Sequence, residues 1–179
     1  MSMRRRGALF SIGATAALAA GAGIALAVRH RPPAPADPVV AAQLALQFED
    51  ADGAPRHLAD WNGSVLVINF WATWCAPCVA EMPDLQRIHA DYQAKGVVLV
   101  GVGIDSAARI REFRDRYAIG FPLLVAGMGG SDLGRALGNG AGALPYTVLL
   151  SRGGAIVERH TGVVPPAALR QWLDRETSV

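Results

Sequence analysis

Two cysteines, Cys75 and Cys78, are the only thiols in a chain of 179 residues, and they lie three apart within FWATWCAPCVAEMP, residues 70–83. Several kinds of sulfur chemistry use such a spacing. A structural zinc site needs four ligands. The histidines, His30, His57, His89 and His160, all lie more than a few residues from the pair and from one another, so no zinc site is expected. A structural staple across so short a loop removes little chain entropy, because the stabilisation by a disulfide grows with the loop it closes. A bond made to be broken fits better: one thiolate attacks a substrate disulfide, and the second attacks the mixed disulfide that results. Two readings of other classes stand beside it. The thiolates could hold Cu(I) as a pair of soft ligands for delivery to a respiratory oxidase, or the domain could be a non-catalytic adaptor in which the thiols are incidental.

Exchange needs an ionised, reachable sulfur, which makes the flanking elements decisive. SVLVINF, 64–70, is a β-branched apolar run that reads as a buried strand. After the cysteines, Val79, Met82, Leu85, Ile88 and Tyr92 recur at spacings of three and four over 77–95, and Lys95-Gly96 closes the pattern, which predicts an amphipathic helix. Cys75 therefore falls at a helix N-terminus, where unpaired N–H groups and the positive dipole end favour a thiolate. Its pKa is expected below the free value of ~8.5. Pro77 suits the first helical turn, where a missing N–H does no harm. Cys78, one turn further in, is expected to be less exposed and to resolve the mixed disulfide. Trp74, Ala76 and Pro77 would form the contact surface for a substrate, although Trp74 fits half-buried packing equally well. Further on, GALPYTVLL, 142–150, has Pro145 opening a strand, where it either marks an edge or takes the cis form in a tight turn. A cis Leu144–Pro145 packed beside the sulfurs would leave the Leu144 backbone free to pair with an extended substrate segment.

The rest of the chain supplies the frame. With 51% hydrophobic and 18% charged residues, the composition is that of a folded domain. LQFEDADGAPRHLADWNG carries a hairpin signal at Asp52-Gly53. VVLVGVGI, 97–104, reads as a second buried strand, about 107–118 as a helix with Ile110, Phe113, Arg114 and Tyr117 along one side, and FPLLVAG as a short strand. SDLGRALGNG reads as a short helix, YTVLLS and AIVERHTG as a hairpin, and 165–175 as a closing helix. Strands alternating with helices, then a hairpin and a last helix, predict an α/β sandwich on a mixed sheet. Trp61 and Trp71 read as core or hairpin packing, Asp105 as a cap of the following helix, and His89 and His160 as solvated or capping residues, since the sequence places no carboxylate beside them.

Charge is unevenly distributed. Arg4, Arg5, Arg6, Arg29 and Arg31 precede every acidic residue, and the chain from Asp37 onward holds 12 basic against 15 acidic side chains, scattered rather than clustered, which excludes a nucleic-acid surface. Residues 7–28, GALFSIGATAALAAGAGIALAV, are uncharged. As a helix they would reach ~33 Å, enough to cross a bilayer, and the three arginines before them favour a cytoplasmic 1–6. The alternative is a cleaved signal peptide with a small-x-small site at Ala34-Pro35-Ala36. Either way the remainder is exported, on the periplasmic side of an inner membrane if the anchor is kept. Residues 29–43 read as a Pro/Ala-rich, extended linker, and 44–179 as the folded domain.

Over about 44–175 the sequence resembles the thioredoxin superfamily, and within it the membrane-tethered TlpA/ResA-like branch of the cytochrome c maturation type. The resemblance rests on FWATWCAPCVAEMP, on GALPYTVLL, on the hairpin with DADG, and on the long interval between Cys78 and Pro145, which leaves room for the segment this branch inserts. It implies a thioredoxin-like sandwich with an N-terminal β-hairpin and an insertion before the proline strand. It also implies reduction of disulfides in exported proteins, such as apocytochrome c or oxidase assembly factors, without a cofactor and with electrons from a membrane thiol transporter. Pro83 matches the kink proline of the active-site helix. Minimal thioredoxins carry a buried Asp on the strand leading into the motif, where this chain has Asn69, which exchanges no proton. Glu81 matches the acidic position of the branch, and there it would accept the proton of the resolving thiol. Read from the residues alone, Glu81 is an exposed helix glutamate, because Glu is rarely buried. Leu144 stands where the superfamily commonly has Thr.

Overall fold

The computed structural model describes residues 37–178. Its elements are α1 (Pro38–Leu44), β1 (Gln47–Asp50), β2 (Pro55–His57), β3 (Val65–Trp71), α2 (Ala76–Tyr92), β4 (Val97–Gly103), α3 (Ala107–Tyr117), β5 (Leu123–Val125), α4 (Gly127–Ala136), β6 (Tyr146–Leu150), β7 (Ile156–Thr161) and α5 (Pro166–Thr177). The strands form one mixed sheet in the order β2-β1-β5-β4-β3-β6-β7. Parallel pairing joins β3 to β4 and β4 to β5, while the other neighbours are antiparallel. This is a thioredoxin-like sandwich with the expected N-terminal hairpin. The inserted segment is α3 and β5, and β5 pairs between β4 and β1 of that hairpin.

β3 is buried along all seven residues, as a strand must be when both neighbours are paired and both faces are covered. Its pleat divides the core. Val65, Val67 and Trp71 pack with Leu85 and Ile88 of α2, Phe113 of α3 and Leu169 of α5. Leu66, Ile68 and Phe70 pack on the opposite face with Val40 of α1 and Leu133 of α4. Each fully buried large apolar side chain contributes about 1.5–3 kcal/mol. The glycines of VGVG in β4 have a packing reason: a methyl at Gly103 would overlap Ile110, and one at Gly101 would overlap Leu123. Small residues here let α3 lie close against the sheet. The edge strand β7 instead alternates half-buried and exposed residues.

Three expectations differ from what is seen. The linker read over 29–43 ends in helix: Asp37 caps α1 through the Val39 N–H, and Val40 and Leu44 are buried against the sheet, so the packed domain begins before residue 44. The helix placed at SDLGRALGNG starts earlier, at Gly127, because tertiary packing of Gly130 against Val102 and Ile104 overrides the poor helix propensity of GMGG. Asp105 does not cap α3, whose N-cap Ser106 accepts no side-chain bond either. The anchor read at 7–28 and the cytoplasmic 1–6 lie outside the described residues. Among the described residues no helix is long and apolar enough to cross a membrane.

Candidate active site

The motif sits where β3 ends and α2 begins. Cys75 is the N-cap of α2, in an extended conformation, and its Sγ accepts the Cys78 N–H at 3.3 Å. The sulfur thus occupies the place a capping oxygen usually takes. The two cysteines are joined in a disulfide with a Cα–Cα separation of 5.2 Å. Cys75 keeps 7% of its surface exposed and Cys78 none. Of the two residues, only Cys75 reaches the surface. Pro77 lies in the first turn, and Trp74, 64% exposed, stands beside it with Ala76 and Pro77 also on the surface. The packing alternative for Trp74 falls away.

Glu81, one turn beyond Cys78 on the same helix, is 2% exposed. Its Oε1 accepts the Asn69 Nδ2–H at 2.8 Å and its Oε2 accepts the Val164 N–H at 3.2 Å. Asn69 also donates to Thr147 Oγ1 at 3.1 Å across the β3–β6 pair. Burial pushes the Glu81 carboxyl up to about 7, and the two hydrogen bonds act against it. A carboxyl poised there holds or releases a proton near neutrality.

The Leu144–Pro145 peptide is cis. Pro145 is buried, and Leu144 touches both halves of the core. Among the described residues nothing bonds to the Leu144 backbone N–H or C=O. The loop after β7 closes this side: Gly162 N–H donates to Pro145 O at 2.8 Å, and two residues later Val164 reaches Glu81.

A redoxin family profile matches residues 34–173. The thiol-disulfide oxidoreductase ResA of Oceanobacillus iheyensis is 34% identical over 134 residues, which are 74% of this chain and 67% of that protein. ResA of Halalkalibacterium halodurans is 30% identical over 129 residues, 71% of this chain and 70% of that protein. Among solved structures, a DsbE-like thiol:disulfide interchange protein from Chlorobium tepidum superposes with a TM-score of 0.66 at 27% identity, covering 74% of this chain and 92% of that one. The chain belongs to the redoxin family, as a ResA-like thiol-disulfide oxidoreductase.

In this ResA-like domain the structure gathers what the sequence had scattered. The disulfide, Glu81 and Asn69 share one side of the sheet, and the Gly162–Val164 loop joins Pro145 to Glu81. Where minimal thioredoxins have a buried Asp, Asn69 instead holds the acid that α2 supplies. Thr147 and the Val164 N–H escaped the sequence reading: the first looks like any strand threonine, and a backbone donor in a loop leaves no signal. Asp105 was misassigned. Its Oδ2 accepts from both the N–H and the Oγ1–H of Thr73, the N–H at 3.3 Å, so it ties the motif loop to the end of β4. Backbone reinforces the tie, with Ile104 N–H donating to Trp71 O at 2.8 Å.

Proposed function

We propose that this oxidoreductase is an exported, membrane-anchored reductant of disulfides in partner proteins. Cys75 thiolate attacks a substrate disulfide, forming a Cys75–substrate bond and releasing one substrate thiolate. Cys78 then gives its proton to the Glu81 carboxylate and attacks Cys75 sulfur. The second substrate thiolate leaves and takes up the proton from Glu81, and two electrons and two protons have passed from the dithiol to the substrate. An extended substrate segment lies along Leu144–Pro145 and the surface of Trp74, Ala76 and Pro77, bonding the open Leu144 backbone. The dithiol is regenerated by a membrane thiol transporter.

The observation that carries this reading is the Cys75 sulfur acting as N-cap of α2, with the Cys78 N–H on it and only the Cys75 side open. A reductive direction is supported by the cysteine count: beyond the reactive pair the chain has no thiol with which to form a structural bridge. Export and anchoring are supported by the uncharged residues 7–28 behind three arginines. Cys78→Ser tests the reading, because it stalls the mixed disulfide on Cys75; exported proteins with reducible disulfides are the expected catch. A redox titration is expected to give a potential near that of thioredoxin, ~−270 mV. One near ~−120 mV, that of strong oxidants, overturns the direction.

A further inference from the structure

His160 has no place in the chemistry described so far, yet it is connected to it. It lies on β7 in register with Thr147 of β6, which is itself in register with Asn69 of β3, so these three side chains point to the same face of the sheet. The His160 ring Nε2 is 3.1 Å from the Val163 carbonyl oxygen. A carbonyl can only accept, so Nε2 carries the hydrogen of this bond. The other side of the same peptide unit is the Val164 N–H, and it donates to Glu81 Oε2. One planar amide therefore has an imidazole at its oxygen and the buried carboxyl at its nitrogen.

We propose that His160 is a positioning residue that sets the ionisation of Glu81 through the Val163–Val164 peptide. The inference rests on the reading of Glu81 as the proton carrier. A hydrogen bond accepted by an amide oxygen polarises the amide and strengthens its N–H as a donor. With the Nε2–H on the Val163 oxygen, the Val164 N–H is a better donor, and the Glu81 carboxylate is favoured over its acid. A half-buried imidazole thus acts on a carboxyl that is 2% exposed. The loop is held in place for this task by the Gly162–Pro145 bond. At Gly162 φ is +88°, a value that side chains rarely adopt.

Other groups facing the pair are accounted for. β3 presents Asn69 and β6 Thr147, while α2 presents the two cysteines. On β7, Glu158 shares the His160 face and is paired with Arg175 of α5 at 2.5 Å. α5 also lays Trp172 against the ring, at 6.1 Å between centroids. Arg170 of α5 is engaged by Asp91 of α2, and Asp174 by Tyr92. None of these charges is among the causes that act on Glu81.

The chain has five glutamates, so 13C labelling at Glu Cδ lets Glu81 be titrated directly in the oxidised full chain, with Glu81→Gln as the assignment control. His160→Ala is expected to raise the Glu81 midpoint by ~0.5 pH unit through loss of the donor. His160→Gln keeps a neutral donor on the Val163 oxygen and is expected to restore most of that difference. Equal midpoints in wild type and both variants, or a lower midpoint in His160→Ala, would overturn the proposal. Both variants change a strand position that is not in the core, and the remaining glutamate signals report whether each is folded. This titration is independent of turnover. If Glu81→Gln leaves the exchange rate unchanged, it is the proton-carrier reading that fails, and the coupling stands or falls on the spectra alone.

Discussion

The two faces of β3 are equally buried and differently made. On one, Leu66, Ile68 and Phe70 lie in an apolar cluster with Val40 and Leu44 of α1 and Leu133 of α4. On the other, Val65, Val67 and Trp71 share their side with Asn69, and through it with Glu81 and Thr147. A buried, hydrogen-bonded acid is at best neutral for stability and costs several kcal/mol when its partners are lost. The apolar face shows what the fold needs for cohesion, and the mixed face shows what it tolerates for chemistry. Stability and reactivity should therefore respond in opposite senses to changes on the two sides.

The largest effect belongs on the apolar face. Phe70→Ala removes a fully buried ring and should lower unfolding free energy by about 3–5 kcal/mol, read as a lower urea midpoint, while the exchange rate per folded molecule and its pH profile stay as in wild type. A displaced pH profile in this variant would break the comparison. On the mixed face the sign inverts. Glu81 is held up to about 7 from an ordinary 4.5, so between those values the folded state binds the extra proton. Its stability is then fully present below about 4.5 and lost as pH rises through about 7, at a cost of about 3 kcal/mol at pH 8. Glu81→Gln removes that cost: urea unfolding should show a variant more stable than wild type by up to about 3 kcal/mol at pH 8, with the gain vanishing near pH 4, and a slower exchange reaction. A variant less stable at both pH values would show that the carboxyl is a structural group. Asn69→Ala sharpens the same contrast with a smaller change. It takes away the Oε1 donor and should cost about 1–3 kcal/mol, while carboxyl NMR finds Glu81 still further above its ordinary range, because burial then acts with one less bond against it.

Much of this was written in the sequence, for identifiable reasons. The strand, the helix and the placement of Cys75 at its start follow from a β-branched run, apolar residues three and four apart, and Pro77 in the first turn, all local signals that packing only had to confirm. The cis Leu144–Pro145 was one of two alternatives that the proline allowed. Burial of Glu81 was not legible from the residues, since nothing local distinguishes it from the exposed glutamate of any helix; it took the family likeness, and then the Asn69 and Val164 donors, to explain how the cost is met. α1 was missed because PVVAAQL is a single short helix of seven residues, too short to hold on propensity and held instead by Val40 and Leu44. Asp105 misled because an aspartate between a strand and a helix reads as a cap, and only the folded chain shows Thr73 turning back to meet it.

The most direct test of the account is the alkylation of the reduced protein by iodoacetamide across pH 4–10, with the modified cysteine assigned by mass spectrometry. The account predicts that Cys75 reacts first, with a midpoint below the ~8.5 of a free thiol. A Cys75 midpoint at or above that value, or prior modification of Cys78, would contradict it.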